Sequence, residues 1–137
     1  MAEKFLNIEL ATPTRKESVG QALSCSAPGV VGRFQVLPGH TDFISELGIG
    51  EVKVESTEGT RYFAASGGFL EVVNDRVLLL LEAAEAAENI DINRAEGSKD
   101  RAENRLNDRH NVDVIRAEAA LQRALTRLKV AEKSSTR

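Results

Sequence analysis

Arg76-Val77-Leu78-Leu79-Leu80-Leu81-Glu82-Ala83-Ala84-Glu85-Ala86-Ala87-Glu88 is the stretch where the chain changes character. Before residue 82 lie nine of the 10 glycines, all three prolines and every aromatic residue of the 137. After it come one glycine (Gly97), no proline and no aromatic; Ala, Glu, Arg, Lys, Leu and Asp dominate. Glycine and proline set turns, and aromatics fill sheet cores. Ala, Leu, Glu, Arg and Lys are good helix formers. The expected fold class is therefore α+β in two domains: an N-terminal β-sandwich domain followed by a C-terminal α-helical hairpin. The expected boundary gives a β-sandwich over 1–84 and a helix-turn-helix over 85–137.

Upstream of the switch, the pattern is one of short strands. Leu6, Ile8 and Leu10 alternate with polar residues until Pro13. Val19, Gln21, Leu23 and Cys25 are expected on one face of a second strand, with Ala27-Pro28-Gly29 as a turn. Phe34 and Val36 share a third strand, closed by the turn Leu37-Pro38-Gly39-His40. Glu51 to Glu55 alternates around Val52 and Val54. Thr57-Glu58-Gly59-Thr60 forms a hairpin tip before Arg61 to Ala65, and Gly67-Gly68 is expected to break that run. Phe69 to Val73 and Arg76 to Leu81 flank a turn at Asn74-Asp75. Leu78 to Leu81 is continuously apolar, which predicts a strand covered on both faces. Turn signals every eight to twelve residues or so indicate a sandwich or barrel.

Downstream, Asp91 is placed to cap a helix from about Ile92 to Leu106. Asn107 to Asn111, with His110 in it, is a polar break; Asn111 or Asp113 can cap a second helix running to about Lys133. Val114, Ala117, Leu121, Ala124, Leu128 and Ala131 make its apolar seam. The first helix offers only Ile92, Ala95, Ala102 and Leu106, interrupted at Lys99, and Ser134 to Arg137 reads as a loose tail. Fixing each residue costs roughly 1–2 kcal/mol of backbone entropy. Fully burying a Leu or Ile returns only about 1.5–3 kcal/mol. A seam of alanines leaves the docked hairpin marginal, so it is a candidate for a movable element.

Composition excludes several functions. A net charge of −3 does not suit a general polyanion binder, and no nucleic-acid partner is expected. No run is long and apolar enough to span a bilayer. Met1-Ala2-Glu3-Lys4 lacks a signal layout. The single Cys25 allows no internal disulfide and no cysteine metal cluster; it reads as packed. There is no phosphate-binding glycine loop with lysine, no nucleophile motif and no metal-ligand spacing, so no catalytic residue, no metal and no required cofactor are expected. His40 reads as a turn residue near an interface.

The series Gly32-Arg33-Phe34-Gln35-Val36-Leu37-Pro38-Gly39-His40, then Ile44, Leu47 and Gly50, then Ser66-Gly67-Gly68-Phe69-Leu70-Glu71-Val72 resembles the epsilon subunit of the F-type ATP synthase. The resemblance continues through Asn89-Ile90-Asp91-Ile92-Asn93-Arg94-Ala95 and along the helical pair to Leu128 and Glu132. It implies a non-catalytic central-stalk subunit, not an enzyme in itself. Its sandwich would bind the gamma subunit and rest on the c-subunit ring. Its helices would fold beside the sandwich or extend toward the alpha and beta catalytic subunits, where they inhibit ATP hydrolysis. Membrane association would be peripheral, through the complex, at the cytoplasmic face of the bacterial inner membrane. Pro28-Gly29-Val30-Val31 is apolar where such subunits usually carry a more polar stretch, Gln35 stands where glycine is common, and Thr41-Asp42-Phe43 replaces a small-Pro-apolar run. Val30, Val31, Pro38, Gly39 and His40 are the expected ring-side interface.

The resemblance also implies a nucleotide site. Ile90-Asp91-Ile92-Asn93-Arg94-Ala95 matches a pattern with which some relatives bind ATP on the folded hairpin. Glu85, Arg101, Arg123 and Arg127 match the remaining positions. Arg94 and Arg101 are seven residues apart, about 10.5 Å along one helix face. Arg123 and Arg127 are one turn apart. Guanidinium groups recognise phosphate oxygens with paired donors. ATP is thus the expected regulatory ligand, held by Glu85, Ile90, Asp91, Arg94, Ala95, Arg101, Arg123 and Arg127. The simpler alternative is that these arginines are solvated and paired with Glu96, Glu103, Glu118 or Glu132. Arg116, Arg123, Arg127, Lys129 and Lys133 give the second helix a basic surface. The competing function is a free-standing β-sandwich adaptor with a helical partner-binding tail.

Overall fold

Among the described residues, alternating apolar residues and glycine-rich turns build eight strands, and the alanine-rich remainder builds two α-helices. The computed structural model describes residues 4–108 and 113–135. The strands are β1 (Leu6–Thr12), β2 (Arg15–Ala22), β3 (Ser24–Gly29), β4 (Gly32–Val36), β5 (Phe43–Ser56), β6 (Gly59–Val73), β7 (Arg76–Leu81) and β8 (Ala84–Ala86). A single 3-10 turn (Ala87–Asn89) leads to α1 (Ile92–Asn107) and α2 (Val114–Ser135).

Seven strands form the order β2-β1-β7-β6-β5-β3-β4, and β8 pairs with β6 off that path. All pairs are antiparallel except β1 with β7. This single ladder becomes two layers because β5 and β6 are long and switch faces together. On β5 the buried residues are Leu47, then Val52 and Val54; on β6 they are Phe63 and Ala65, then Leu70 and Val72. The parity flips once in each strand while their pairing stays in register. Gly67 and Gly68 carry the change at φ +92 and +137, values that suit glycine. The early half of β6 pairs with β8, and its late half pairs with β7. Both inner faces meet in one core of Leu6, Ile8, Leu10, Val36, Val52, Phe63, Leu70, Val72, Val77 and Leu79 with their neighbours. Cys25 is inside it, and burial pushes its thiol up to about 12, against a smaller opposing effect of Arg33.

Several expectations change. Gly67-Gly68 bends β6 but does not break it, because the ladder continues on both sides. Val19, Gln21, Leu23 and Cys25 do not share a face. Val19 is skipped in the β1–β2 pairing, a bulge with Gly20 at φ +100, and the chain crosses to the other layer at Leu23. Ala27-Pro28-Gly29 lies in β3, and the reversal falls at Val30-Val31. There the β3–β5 register shifts, and Pro28 packs so closely on Gly50 that a side chain at 50 would collide with it. Leu78 to Leu81 is not covered on both faces: Leu79 and Leu81 are buried, whereas Leu80 is 45% exposed. Four leucines in a row still alternate in a pleated strand. The other turns stand where expected: His40 N–H donates to the Leu37 carbonyl, and Asn74 and Asp75 have the paired positive φ of a tight hairpin.

Asp91 caps α1, its carboxylate accepting the Arg94 N–H at 3.0 Å, and Asp113 caps α2 by accepting the Arg116 N–H at 3.1 Å. The helix seam consists of Ala95, Ala102, Ala117 and Ala124, all buried. Ile92 and Val114, expected in the seam, are half-exposed at the first position of each helix, where no turn precedes them. α2 continues to Ser135, past the expected end. Its last turns dock on the sandwich, where Val130 and Ala131 join Tyr62, Ala64, Ala87 and Ile90 in a second apolar cluster. Residues 109–112, with His110 and most of the polar break, and 136–137 lie outside the described residues, as does the side chain of Ser135.

Candidate functional site

A cleft of about 270 Å³ opens between the sandwich edge and both helices. The sandwich supplies Ser66, Ala84 and Glu85; α1 supplies Ser98; α2 supplies Arg123 and Arg127. Three expected nucleotide-site residues, Glu85, Arg123 and Arg127, therefore share one opening. Glu85 reaches it because β8 pairs with β6 and turns residue 85 outward beside half-buried Ala84 and buried Ala86. Arg127 Nε lies 2.8 Å from Glu85 Oε1, an ion-pair contact outside hydrogen-bond alignment, and its Nη2 donates to Oε2 at 3.3 Å. Arg123, one turn earlier, is exposed, and its side chain makes no hydrogen bond or ion pair among the described residues.

The other expected residues surround the cleft without lining it. Arg101 donates to Ser98 Oγ at 3.1 Å, and its guanidinium lies over Gly97, where a side chain would meet it at 3.3 Å. Ser98 thus ties Arg101 to the cleft rim. Arg94 is exposed and its guanidinium has no ion-pair partner among the described residues. Asp91 is occupied as the α1 cap. Ile90 and Ala95 are buried, the first against α2 and the second in the helix seam. None of the arginines pairs with Glu96, Glu103, Glu118 or Glu132 in the contacts described; Glu103 instead meets Lys99 at 3.7 Å. At about 270 Å³ the cleft lies just below the about 300–1,000 Å³ common for small-molecule sites. A phosphate entering beside Arg127 would share that arginine with Glu85.

The expected interface residues cluster by turn. Val31 is 97% exposed at the β3–β4 reversal, and Val30 is more than half exposed. Pro38, Gly39 and His40 form the β4–β5 turn, clamped to the β6–β7 turn by Gly39 N–H on Asp75 Oδ1 (2.7 Å) and Asn74 N–H on Asp42 Oδ1 (2.9 Å). His40 stacks on Phe43 at 4.7 Å between centroids.

Three residues escaped the sequence. Val130 is fully buried against the sandwich although it lies off the helix seam. Tyr62 carries Lys133 Nζ 4.7 Å above its ring. Glu51 meets Lys133 at 2.8 Å. A helix that packs on two partners has two apolar stripes, and Val130 beside Ala131 was the available signal. Among the described residues no cluster suited to a metal ion occurs, and no helix is long and apolar enough to cross a membrane.

A two-layer sandwich carrying a docked helical hairpin, with a cleft of alanines, Glu85, Arg123 and Arg127 between them, defines a two-domain class of β-sandwich plus helix pair. The sequence matches the family ATP synthase, Delta/Epsilon chain, beta-sandwich domain over residues 5–87 and ATP synthase, Delta/Epsilon chain, long alpha-helix domain over residues 88–132. The chain belongs to the ATP synthase epsilon chain family, whose members are non-catalytic subunits of that complex. The epsilon chain of Syntrophobacter fumaroxidans is 44% identical over 135 residues, spanning 98% of this chain and 100% of that one. The epsilon chain of Nitratidesulfovibrio vulgaris is 46% identical over 104 residues, 76% of this chain and 78% of that one. A chain of the Euglena gracilis mitochondrial ATP synthase OSCP/F1/c-ring structure shares the fold at a TM-score of 0.80 and 18% identity, covering 100% of this chain and 84% of its own.

Proposed function

We propose that this chain is the central-stalk rotor subunit of a proton-translocating F-type ATP synthase, coupling the catalytic hexamer to the c ring, with residues 1–84 as the coupling domain and 85–137 as the regulatory one. The sandwich docks gamma and sets Val30, Val31, Pro38, Gly39 and His40 toward the c ring. The chain sits peripherally at the cytoplasmic face of the bacterial inner membrane, held there by its partners. The helices inhibit ATP hydrolysis when they leave the sandwich and extend toward the alpha and beta subunits. ATP binding to the folded hairpin restrains them.

One observation carries the nucleotide part: Glu85, Arg123 and Arg127 converge with Ser98 on a cleft that exists only while both helices are docked. A ligand bound there stabilises the docked form alone. At a hundredfold excess over its dissociation constant it adds about 2.7 kcal/mol. That matches the burial of one large apolar side chain and suffices to shift a nearly balanced equilibrium.

Reconstitution tests this. Added to a synthase lacking its own epsilon subunit, the chain should slow ATP hydrolysis at low ATP and release it at high ATP. A chain that binds the complex yet leaves hydrolysis unchanged at both concentrations would favour the plain adaptor.

A further inference from the structure

We propose that Glu51 is a catch for the far end of the hairpin, a carboxylate on the sandwich that holds Lys133 and so sets how readily α2 leaves. This rests on the reading that the hairpin moves. Glu51 Oε2 lies 2.8 Å from Lys133 Nζ, and Oε1 lies 3.5 Å from Arg33 Nη2. Arg33 Nη1 also donates to the Glu51 backbone carbonyl at 2.6 Å, which fixes the strand position from which the carboxylate projects. The Glu51 side chain is only 15% exposed. Lys133 is held from a second side by the Tyr62 ring. The carboxylate is thus shielded, oriented and shared between a cation of the sandwich and a cation of the helix.

Position makes the pair consequential. The hairpin is covalently tied to the sandwich at Ile90, and its other end is the last turns of α2. The apolar contact at that end is small: Val130 and Ala131 against Tyr62, Ala64, Ala87 and Ile90. Undocking that starts from the last turns of α2 must break Lys133–Glu51 before Arg127–Glu85, six residues earlier on α2. Arg127 and Glu85 belong to the proposed nucleotide cleft; Lys133 and Glu51 do not line it. The catch is therefore a restraint independent of ATP. Being an ion pair near the surface, it weakens as salt screens it.

Hydrogen–deuterium exchange on the full chain tests it, without nucleotide or other subunits. Lys133→Met and Glu51→Gln should each lower amide protection over residues 125–133 by roughly tenfold, as for a lost charge-assisted hydrogen bond. Protection in β1 and β7 should not change. Lys133→Arg should keep the protection, and the double variant should lose no more than either single one. At about 1 M salt, where the screening length falls to about 3 Å, the wild type should lose more protection than Lys133→Met, in which only the Arg127–Glu85 pair is left for salt to screen. Wild-type protection in both single variants, or equal loss in Lys133→Arg and Lys133→Met, would overturn the catch. Loss of protection in Glu51→Gln together with no ATP binding by the wild type would keep the catch and remove the nucleotide reading.

Discussion

Arg127 reaches from α2 to within 2.8 Å of the Glu85 carboxylate on β8, joining the second helix to the edge of the sandwich. The same two residues were expected to touch a nucleotide. Their contact places a guanidinium beside a carboxylate, on a cleft whose third charged member, Arg123, has no side-chain partner among the described residues. A docked state with part of its cation set already anchored and part open to a ligand is suited to tuning by that ligand.

Truncation after Ala87 should leave a soluble domain that unfolds cooperatively and still binds gamma. The main core draws every residue from β1 to β8 and none from the helices. Removing α2 uncovers only Tyr62, Ala64, Ala87 and Ile90 from the second cluster, and Ile90 leaves with it. Near-UV circular dichroism and a denaturant titration check this; a molten spectrum would contradict it.

Gly68→Ala should strain the layer change in β6 and destabilise the sandwich strongly. Gly68 has φ +137, and a methyl group there would overlap the Leu80 carbonyl on β7. Backbone cannot yield as a side-chain tip can, so a loss of several kcal/mol is expected, on the order of the about 4–5 that marks exceptional substitutions. Gly59→Ala, also at positive φ but with open space around it, should cost less, on the order of 1–2 kcal/mol. Thermal unfolding of the two variants gives the comparison, and equal midpoints would contradict it.

Much of this architecture was legible because turn chemistry and helix composition are local. The Asn74-Asp75 hairpin, the Asp91 cap and the alanine seam follow from residue types and spacing. What escaped depends on distant partners. Leu78 and Leu80 look like a doubly covered strand, yet the helices dock over β6 and the 3-10 turn, leaving β7 open on one side. The role of Gly67-Gly68 is a change of layer, which a breaker rule cannot distinguish from an end. Glu85, Arg123 and Arg127 were grouped by motif and line one cleft, whereas Glu51 and Tyr62 carried no signal, since nothing in their neighbourhood announces a helix arriving from the far end of the chain.

Charged substitutions at Val30 and Val31 should leave folding intact and weaken assembly with the membrane sector. Val31 is almost fully exposed and joins no core, so stability should change by less than about 0.5 kcal/mol. A partner's apolar contact would lose far more to a buried charge. Unfolding midpoints beside reconstituted proton-coupled activity separate the two effects; unchanged coupling would exclude this loop from the ring contact.

Deleting residues 88–137 from the assembled enzyme should raise ATP hydrolysis while synthesis persists. Arg127 and Lys133 are engaged by Glu85 and Glu51 in the docked state, whereas Arg116, Arg123 and Lys129 remain exposed. Extension frees the first two and presents the basic face to acidic partner surfaces. Steady-state hydrolysis by the truncated complex, under conditions that reveal inhibition in the full one, decides; equal rates would make the basic face merely solvated.

The most direct test is calorimetric titration of ATP into the isolated wild-type chain, Arg123→Ala and Arg94→Ala. Arg123 opens on the cleft with no competing partner, so its loss should weaken binding by at least about tenfold, as for a charge-assisted contact to phosphate. Arg94 lies outside the cleft lining and should contribute if the phosphates extend along α1. The expected result is saturable binding to the wild type that falls in both variants, with a parallel loss of the ATP-induced rise in melting temperature. Equal heats and equal thermal shifts in all three would contradict the ATP-restrained hairpin and leave a nucleotide-independent brake.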